Sequence, residues 1–372
     1  MKRFLPFLLA AIMLCSLALT GCGSESSGSG LVLNVYNWGE YISDGSEGSF
    51  DTIREFEKWF FETYGQKVKV NYDTFASNED MYNKLANGAV SYDVIFPSDY
   101  MVDRMRQENM LLPLDFDNIP NYSYVTDSFR GLYYDPDNLY SIPYTYGVVG
   151  IIYDANKVSP EDVGDWDLMW NEKYTGDILQ FNNPRDAFAT AQYKLGLDVN
   201  DKDHASWEKA LMEMKRQFPF VKSFVMDEVF NMMESGEAAI AAYYAGDYFT
   251  MQENQASNVD LKFYYPPHTN YFIDAICIPS CCQHKELAEI FINYLLSSEA
   301  AIANAEYICY ASPYSVVYND PGYAEDMGQE AMEILYPGVD NFSQLYNAYS
   351  FKNLDSENLI YLVSLWEQLK IS

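Results

Sequence analysis

Asp274 stands in the run Phe272-Ile273-Asp274-Ala275-Ile276, where every other residue is apolar. A carboxylate in such a strand is unfavourable unless a cation or hydrogen-bond donors meet it, because an unpaired buried charge costs several kcal/mol. Adjacent Tyr243 and Tyr244 close another apolar run, and paired phenolates are hard oxygen donors suited to Fe(III). Ser98 and Asp99 allow two readings: a polar contact, or a helix N-cap followed by its first-turn acid. The 54 acidic residues make some close carboxylate pair inevitable, so a glycosidase built on two acids is allowed but gains nothing from that number. No G-x-S-x-G, G-x-x-x-x-G-K, H-E-x-x-H or G-x-G-x-x-G motif occurs, and His204, His268 and His284 lie in polar stretches that suit solvated positions better than catalysis.

The chain has 372 residues, 49% hydrophobic and 16% aromatic, enough for two or three globular domains. Its net charge of −31 argues against nucleic-acid or anionic-lipid binding through a basic surface and draws cations instead. Met1-Lys2-Arg3 followed by the apolar run from Phe4 to Leu19 reads as a signal peptide, too short to span a membrane comfortably. It closes with Leu19-Thr20-Gly21-Cys22, which looks like a bacterial lipobox, so residues 1–22 are expected to be signal and Cys22 to carry the lipid. Residues 23–30, GSESSGSG, form a flexible polar linker. The expected product is exported and lipid-anchored at the outer face of the cytoplasmic membrane, at the cell surface or in a periplasm. Cys277, Cys281, Cys282 and Cys309 remain, sufficient for one or two disulfides, with a metal site at Cys281-Cys282-Gln283-His284 disfavoured by the ligand spacing.

The elements that must position these groups follow from periodicity. Leu31 to Asn37 reads as a strand, and Phe50, Ile53, Phe56, Trp59 and Phe60 recur at helical spacing up to Gly65. Val68 to Tyr72 is a strand, Met81 to Ala86 a short helix, and Tyr92 to Phe96 a strand. After Pro143 the pattern resumes: strands at Val148–Tyr153, Ala238–Tyr243, Leu261–Tyr265 and Phe272–Ile278, helices at Asp186–Leu195 and Ser206–Phe218, and one long helical segment from Glu286 to about Ala305. Strands alternating with helices predict α/β lobes, each a mostly parallel sheet flanked by helices.

Three segments, Tyr36-Asn37-Trp38-Gly39-Glu40-Tyr41, Asn78-Glu79-Asp80-Met81-Tyr82-Asn83-Lys84-Leu85 and Tyr92-Asp93-Val94-Ile95-Phe96-Pro97-Ser98-Asp99-Tyr100, together with Tyr271-Phe272-Ile273-Asp274-Ala275-Ile276, resemble the spermidine/putrescine-binding proteins of polyamine ABC transporters. The resemblance runs in order from Leu31 to the C-terminus. It implies a two-lobed, type II periplasmic-binding-protein-like fold with the ligand in the cleft between lobes. Residues 31–146 and 274–317 would form lobe 1, and 147–273 and 318–372 lobe 2. It also implies a monomeric, non-enzymatic receptor without cofactor that delivers a polyamine to a membrane permease. Such a pocket needs aromatic faces along the methylenes and carboxylates at the ammonium groups, each cation–π contact contributing about 0.5–2 kcal/mol.

Carried over residue by residue, the resemblance assigns Asp274 and Asp186 to the ammonium groups, and Trp38, Tyr41, Tyr100, Tyr244, Phe272 and Tyr310 to the aromatic sleeve, with Ser98 as a further contact. Tyr244 and Phe272 stand where family members carry Trp, and Asn183 where an Asp is found. Lys352 falls where a polar contact is expected and would repel a distant ammonium. The changes at Asn183 and Lys352 favour a shorter or less charged ligand, putrescine ahead of spermidine. A ferric-iron or other small-solute binder of the same fold is the alternative, although Trp38, Tyr41 and Asp274 make no sense as iron ligands.

Overall fold

The computed structural model describes residues 30–88, 90–336 and 350–371. The signal, Cys22 and nearly all of the linker lie outside them. Within them, the sheet runs in the order β2-β1-β3-β9-β4-β7-β5-β6, with β8 (Leu261–Tyr264) added to β4. In the first half, β1 (Leu31–Trp38) pairs in parallel with β2 (Val68–Phe75) on one side and β3 (Val94–Ile95) on the other. In the second, β5 (Ile178–Phe181) lies parallel to both β6 (Val221–Val225) and β7 (Ile240–Tyr244). Each half thus has a switch point, at β1 and at β5, and open α/β sheets bind ligands beyond the carboxyl ends of strands at such points.

The middle of the sheet is antiparallel. β4 (Ser141–Asp154) is a fourteen-residue strand whose first part pairs with β9 (Tyr271–Cys277) and whose second part pairs with β7 and β8. The sheet is therefore mixed, with parallel pairing confined to its two ends. The strands that meet there come from distant parts of the chain, and β4 runs opposite to β7, β8 and β9. β4 begins seven residues before the expected Val148, because Ser141, Pro143 and Thr145 read as turn residues, while a register shift between Pro143 and Thr145 keeps the proline in the strand.

Helices form where the pattern predicts them. In α1 (Thr52–Tyr64), Asp51 caps the Arg54 amide, Phe56 and Phe60 face the core, and Gly65 ends the helix at φ 69°, a left-handed conformation favourable for glycine. α2 (Asn78–Ala86) is capped by Ser77, α3 covers Asp99–Gln107, α4 covers Pro184–Lys194 behind the Asn183 cap, and α5 covers His204–Gln217. α6 (Glu228–Glu234) precedes β7, and α7 (Ala245–Asn254) follows it directly. The long helical segment expected from Glu286 is two helices, α8 (Lys285–Leu295) and α9 (Ser298–Ile308), because the Ser297 hydroxyl caps the Ala300 amide and starts a new helix. A short helix, Ser315–Tyr318, and two longer ones, Pro321–Leu335, kinked at Gly328, and Ser356–Lys370, complete the described α-helices. All four described cysteines are free thiols, so no disulfide forms among them.

Gly150 in β4 lies where a Cβ would fall 2.3 Å from the Phe263 ring and 2.6 Å from the Tyr264 carbonyl oxygen. A backbone oxygen cannot move aside cheaply. Gly150→Ala should separate β4 from β8 and destabilise the fold by about 1–3 kcal/mol, read as a lower Tm in thermal denaturation. An unchanged Tm would show that this strand pair tolerates the methyl group.

Candidate functional site

Asp274 occupies the middle of β9, opposite Thr145 of β4, and is 4% exposed. Its two oxygens are met by hydroxyls from other elements: Tyr41 donates to Oδ2 at 2.6 Å and Ser98 to Oδ1 at 2.6 Å. No positively charged side chain pairs with it among the described residues. Burial pushes its pKa up to about 6, against the lowering effect of these two hydrogen bonds.

Ser98 settles the ambiguity of its sequence. It stands at the N-cap position of α3, yet its hydroxyl makes no cap bond and is committed to Asp274. Asn78, at the start of α2, fixes Ser98 from behind: its Nδ2 donates to the Ser98 hydroxyl at 2.9 Å, and the Ser98 amide donates to its Oδ1 at 3.0 Å. Tyr41 is held similarly, its hydroxyl 2.7 Å from Thr145 Oγ1 and its backbone carbonyl accepting from Tyr144. Trp38, at the end of β1, is half-buried, packs on Phe75 and donates its indole N–H to the Phe96 carbonyl at 2.8 Å. Glu40, in the turn after β1, has a left-handed φ of 51°, a strain that concentrates at functional turns.

Aromatic rings connect this end to the second half of the sheet. Tyr310 sits edge-on to Tyr41 at 5.4 Å and to Phe272 at 5.9 Å, and Phe272 is edge-on to Tyr244 at 5.4 Å. The Tyr244 hydroxyl donates to Asp186 at 3.3 Å. Asp186 lies in the first turn of α4, buried, with a pKa of about 7 set chiefly by desolvation. The Tyr244 hydrogen bond and the Arg185 charge lower it, and the Glu79 charge raises it. The structure thus joins Tyr41, Ser98, Asp274, Tyr310, Phe272, Tyr244 and Asp186 into one connected group. Tyr100 adjoins it through Glu79, to which its hydroxyl donates at 3.1 Å, and through an edge contact with Phe351 at 6.3 Å.

Two expected positions act otherwise. Asn183 turns its side-chain oxygen onto the Arg185 amide as the cap of α4. Lys352 is exposed, and its backbone carbonyl accepts from Arg185 while its amide donates to Asn200. Its neighbour Phe351 is the buried ring of that segment, covered by the Arg185 guanidinium at 4.6 Å.

Asp247, in the first turn of α7, was missed in the sequence. Its Oδ2 accepts from Tyr310 at 3.0 Å, and burial is the main cause of a pKa of about 7. A signal existed in Tyr244-Ala245-Gly246-Asp247: a Cβ on Gly246 would fall 2.4 Å from the Tyr310 ring, so only glycine lets that ring reach the aspartate. Burial pushes the phenols of both Tyr243 and Tyr244 well above their ordinary pKa. A surface hollow of about 660 Å³ beside Glu161, Asp165, Trp170 and Phe220 shares none of these residues.

Residues 52–331 match the family described as bacterial extracellular solute-binding protein. The chain is 32% identical over 96% of its length to the spermidine/putrescine-binding periplasmic protein of Escherichia coli K12, covering 94% of that protein. It is 27% identical over its whole length to the putrescine-binding periplasmic protein SpuD of Pseudomonas aeruginosa, covering 99% of it. Among solved structures it is similar to a putative spermidine/putrescine ABC transporter protein from Listeria monocytogenes, with a TM-score of 0.78 at 30% identity over 91% of this chain and 98% of that one. The substrate-binding protein PotD of Streptococcus pneumoniae gives a TM-score of 0.73 at 30% identity, covering 92% and 99% of the two chains. Two switch points whose strand ends meet around one aromatic and acidic site, and similarity along almost the entire chain, lead to one conclusion: the protein is a two-lobed α/β solute-binding protein and belongs to the bacterial extracellular solute-binding protein family.

Proposed function

We propose that the chain binds a short aliphatic polyamine, putrescine or spermidine, between its lobes and delivers it to the permease of an ABC importer. The observation that carries this reading is Asp274, a buried carboxylate held by two hydroxyls beside aromatic rings, with two further carboxylates, half-buried Asp247 and buried Asp186, across the group. An alkyl diammonium supplies what those groups lack. Its charged ends would meet carboxylates that otherwise bear an uncompensated desolvation cost, and its methylenes would run along Tyr310, Phe272 and Tyr244. The similarity to proteins named for spermidine and putrescine supports the same ligand class. The lobe division at residues 31–146 with 274–317 and 147–273 with 318–372, the monomeric state and the absence of catalysis belong to this proposal. So does anchoring through a lipid on Cys22, supported by Leu19-Thr20-Gly21-Cys22 and by the absence, among the described residues, of any helix long and apolar enough to cross a membrane.

Isothermal titration calorimetry with putrescine should give one tight site, and Asp274→Asn should weaken it by at least about tenfold, or 1.4 kcal/mol. An unchanged dissociation constant in that variant would remove Asp274 from the site.

Acidity provides a second test. Asp274, Asp186 and Asp247 titrate near 6, 7 and 7 in the folded protein, above their ordinary value of 3.8. At low pH they hold protons that an ammonium must displace, so affinity should fall as pH drops from 8 to 5.5, and binding near pH 6.5 should release protons, visible as buffer-dependent enthalpies. The unliganded protein should behave inversely. Raised carboxylate pKa values stabilise the fold fully below the unfolded value, and this contribution is lost as pH rises through about 6 to 7. Affinity that is flat across this range would mean that the cleft carboxylates are already ionised. Finally, Cys22→Ala should move the protein of the expressing cells from the membrane fraction to the soluble fraction, and retention at the membrane would dismiss the lipid anchor.

A further inference from the structure

The end of the site away from Asp274 has a charge arrangement that the assigned residues leave incomplete. Asp186 is buried there, and Asn183, three residues earlier, is neutral and engaged as a helix cap. Arg185 is the adjacent cation, but its Nη2 is directed to the Val199 and Lys352 carbonyls and the Asn200 side chain, and its guanidinium covers Phe351. It makes no ion pair with a carboxylate among the described residues. From the first half of the sheet, Glu79 in the opening turn of α2 approaches the same end. It accepts the Tyr100 hydroxyl at 3.1 Å, and Tyr100 in turn meets the Phe351 ring that Arg185 covers. The Glu79 charge is felt at Asp186, at Tyr100 and at Arg185, which places the four groups in one electrostatic cluster.

Resting on the polyamine reading above, we infer that Glu79 is a specificity-determining carboxylate that shares the second ammonium group with Asp186, taking the place of the charge absent at Asn183. The half-buried carboxylate gives one oxygen to Tyr100, while the Arg185 donors are taken by backbone carbonyls and Asn200, so its charge reaches Glu79 and Asp186 only at a distance and without an ion pair. Glu79 and Asp186 come from opposite halves of the chain, so an ammonium between them also links the two halves, a contact that a ligand with one charged end cannot make while that end is held at Asp274.

The test uses the mature protein and calorimetry with putrescine, spermidine and N-acetylputrescine, which lacks one of the two charges. Glu79→Gln should weaken putrescine and spermidine about tenfold, the scale of one charge-assisted contact, and leave N-acetylputrescine within about twofold. Tyr100→Phe removes the hydroxyl contact but keeps the Glu79 charge, so any loss it causes should fall on all three ligands alike, without the diamine-selective loss of Glu79→Gln. Adding Asn183→Asp to Glu79→Gln should restore diamine binding, since aspartate caps a helix as well as asparagine and returns the charge to this end. Equal losses for all three ligands in Glu79→Gln, matched by Tyr100→Phe, would show that Glu79 only orients the ring and would overturn the inference. Full diamine affinity in Glu79→Gln, with affinity lost in Asp274→Asn, would overturn it while leaving the polyamine reading intact. Normal binding in Asp274→Asn would remove the proposed site and this inference with it.

Discussion

The carboxylate of Asp274 is the constraint around which the centre of the molecule is organised. It lies in a buried strand between two other buried strands, where an ionised group is unfavourable unless its oxygens are satisfied. Tyr41 and Ser98 satisfy them with neutral donors, and these donors are themselves fixed by Thr145, Tyr144 and Asn78. That chain of hydrogen bonds ties the loop after β1, the entrance to α3, the start of α2, β4 and β9 into one cluster. Neutral donors hold the carboxylate in place without cancelling its charge. A resident arginine would make the fold more comfortable and leave nothing for a cation to find.

The same logic extends across the site. Asp247 and Asp186 are each met by a tyrosine hydroxyl, and burial raises both toward neutrality. On the proposed polyamine reading, three acids held in this way store unfavourable desolvation that an arriving cation would relieve. The net charge of −31 acts at longer range, concentrating cations near the protein. Arg185 shows how a cation is kept in such a region without filling it: backbone carbonyls and the Phe351 face take up its donors and its charge.

Much of the architecture was legible in the sequence because local chemistry and global placement agree. Asp51 and Gly65 bound α1 as caps should, and β1, β2, β7 and β9 fall within a few residues of their alternating or apolar runs. The errors have physical reasons. β5 and β6 are only four and five residues long, and the exposed and half-buried positions of β6 leave no clear apolar signal. The break between α8 and α9 rests on a single serine cap within an otherwise continuous apolar pattern. The antiparallel centre was illegible because pairing direction depends on which distant strand lies alongside, and no residue within β4 or β9 encodes that.

For the site, the sequence by itself determined the residue types: an aspartate in an apolar strand, aromatics just past strand ends, and a net acidity that argues against a basic surface for nucleic acid or anionic lipid. Tertiary structure decided what each side chain does. Ser98 could be read as a cap or as a contact, and only the approach of β9 and of Asn78 to the start of α3 resolves it: its hydroxyl donates to Asp274 and accepts from Asn78 instead of accepting from the α3 amides. Asp247 and Glu79 became visible only once Tyr310 and Tyr100 were seen to reach them. Lys352 turned out to contribute its backbone carbonyl and amide while its ammonium group faces outward. Charge and polarity are written in the chain one residue at a time, but convergence on a common point is a property of strands and helices that begin far apart in sequence.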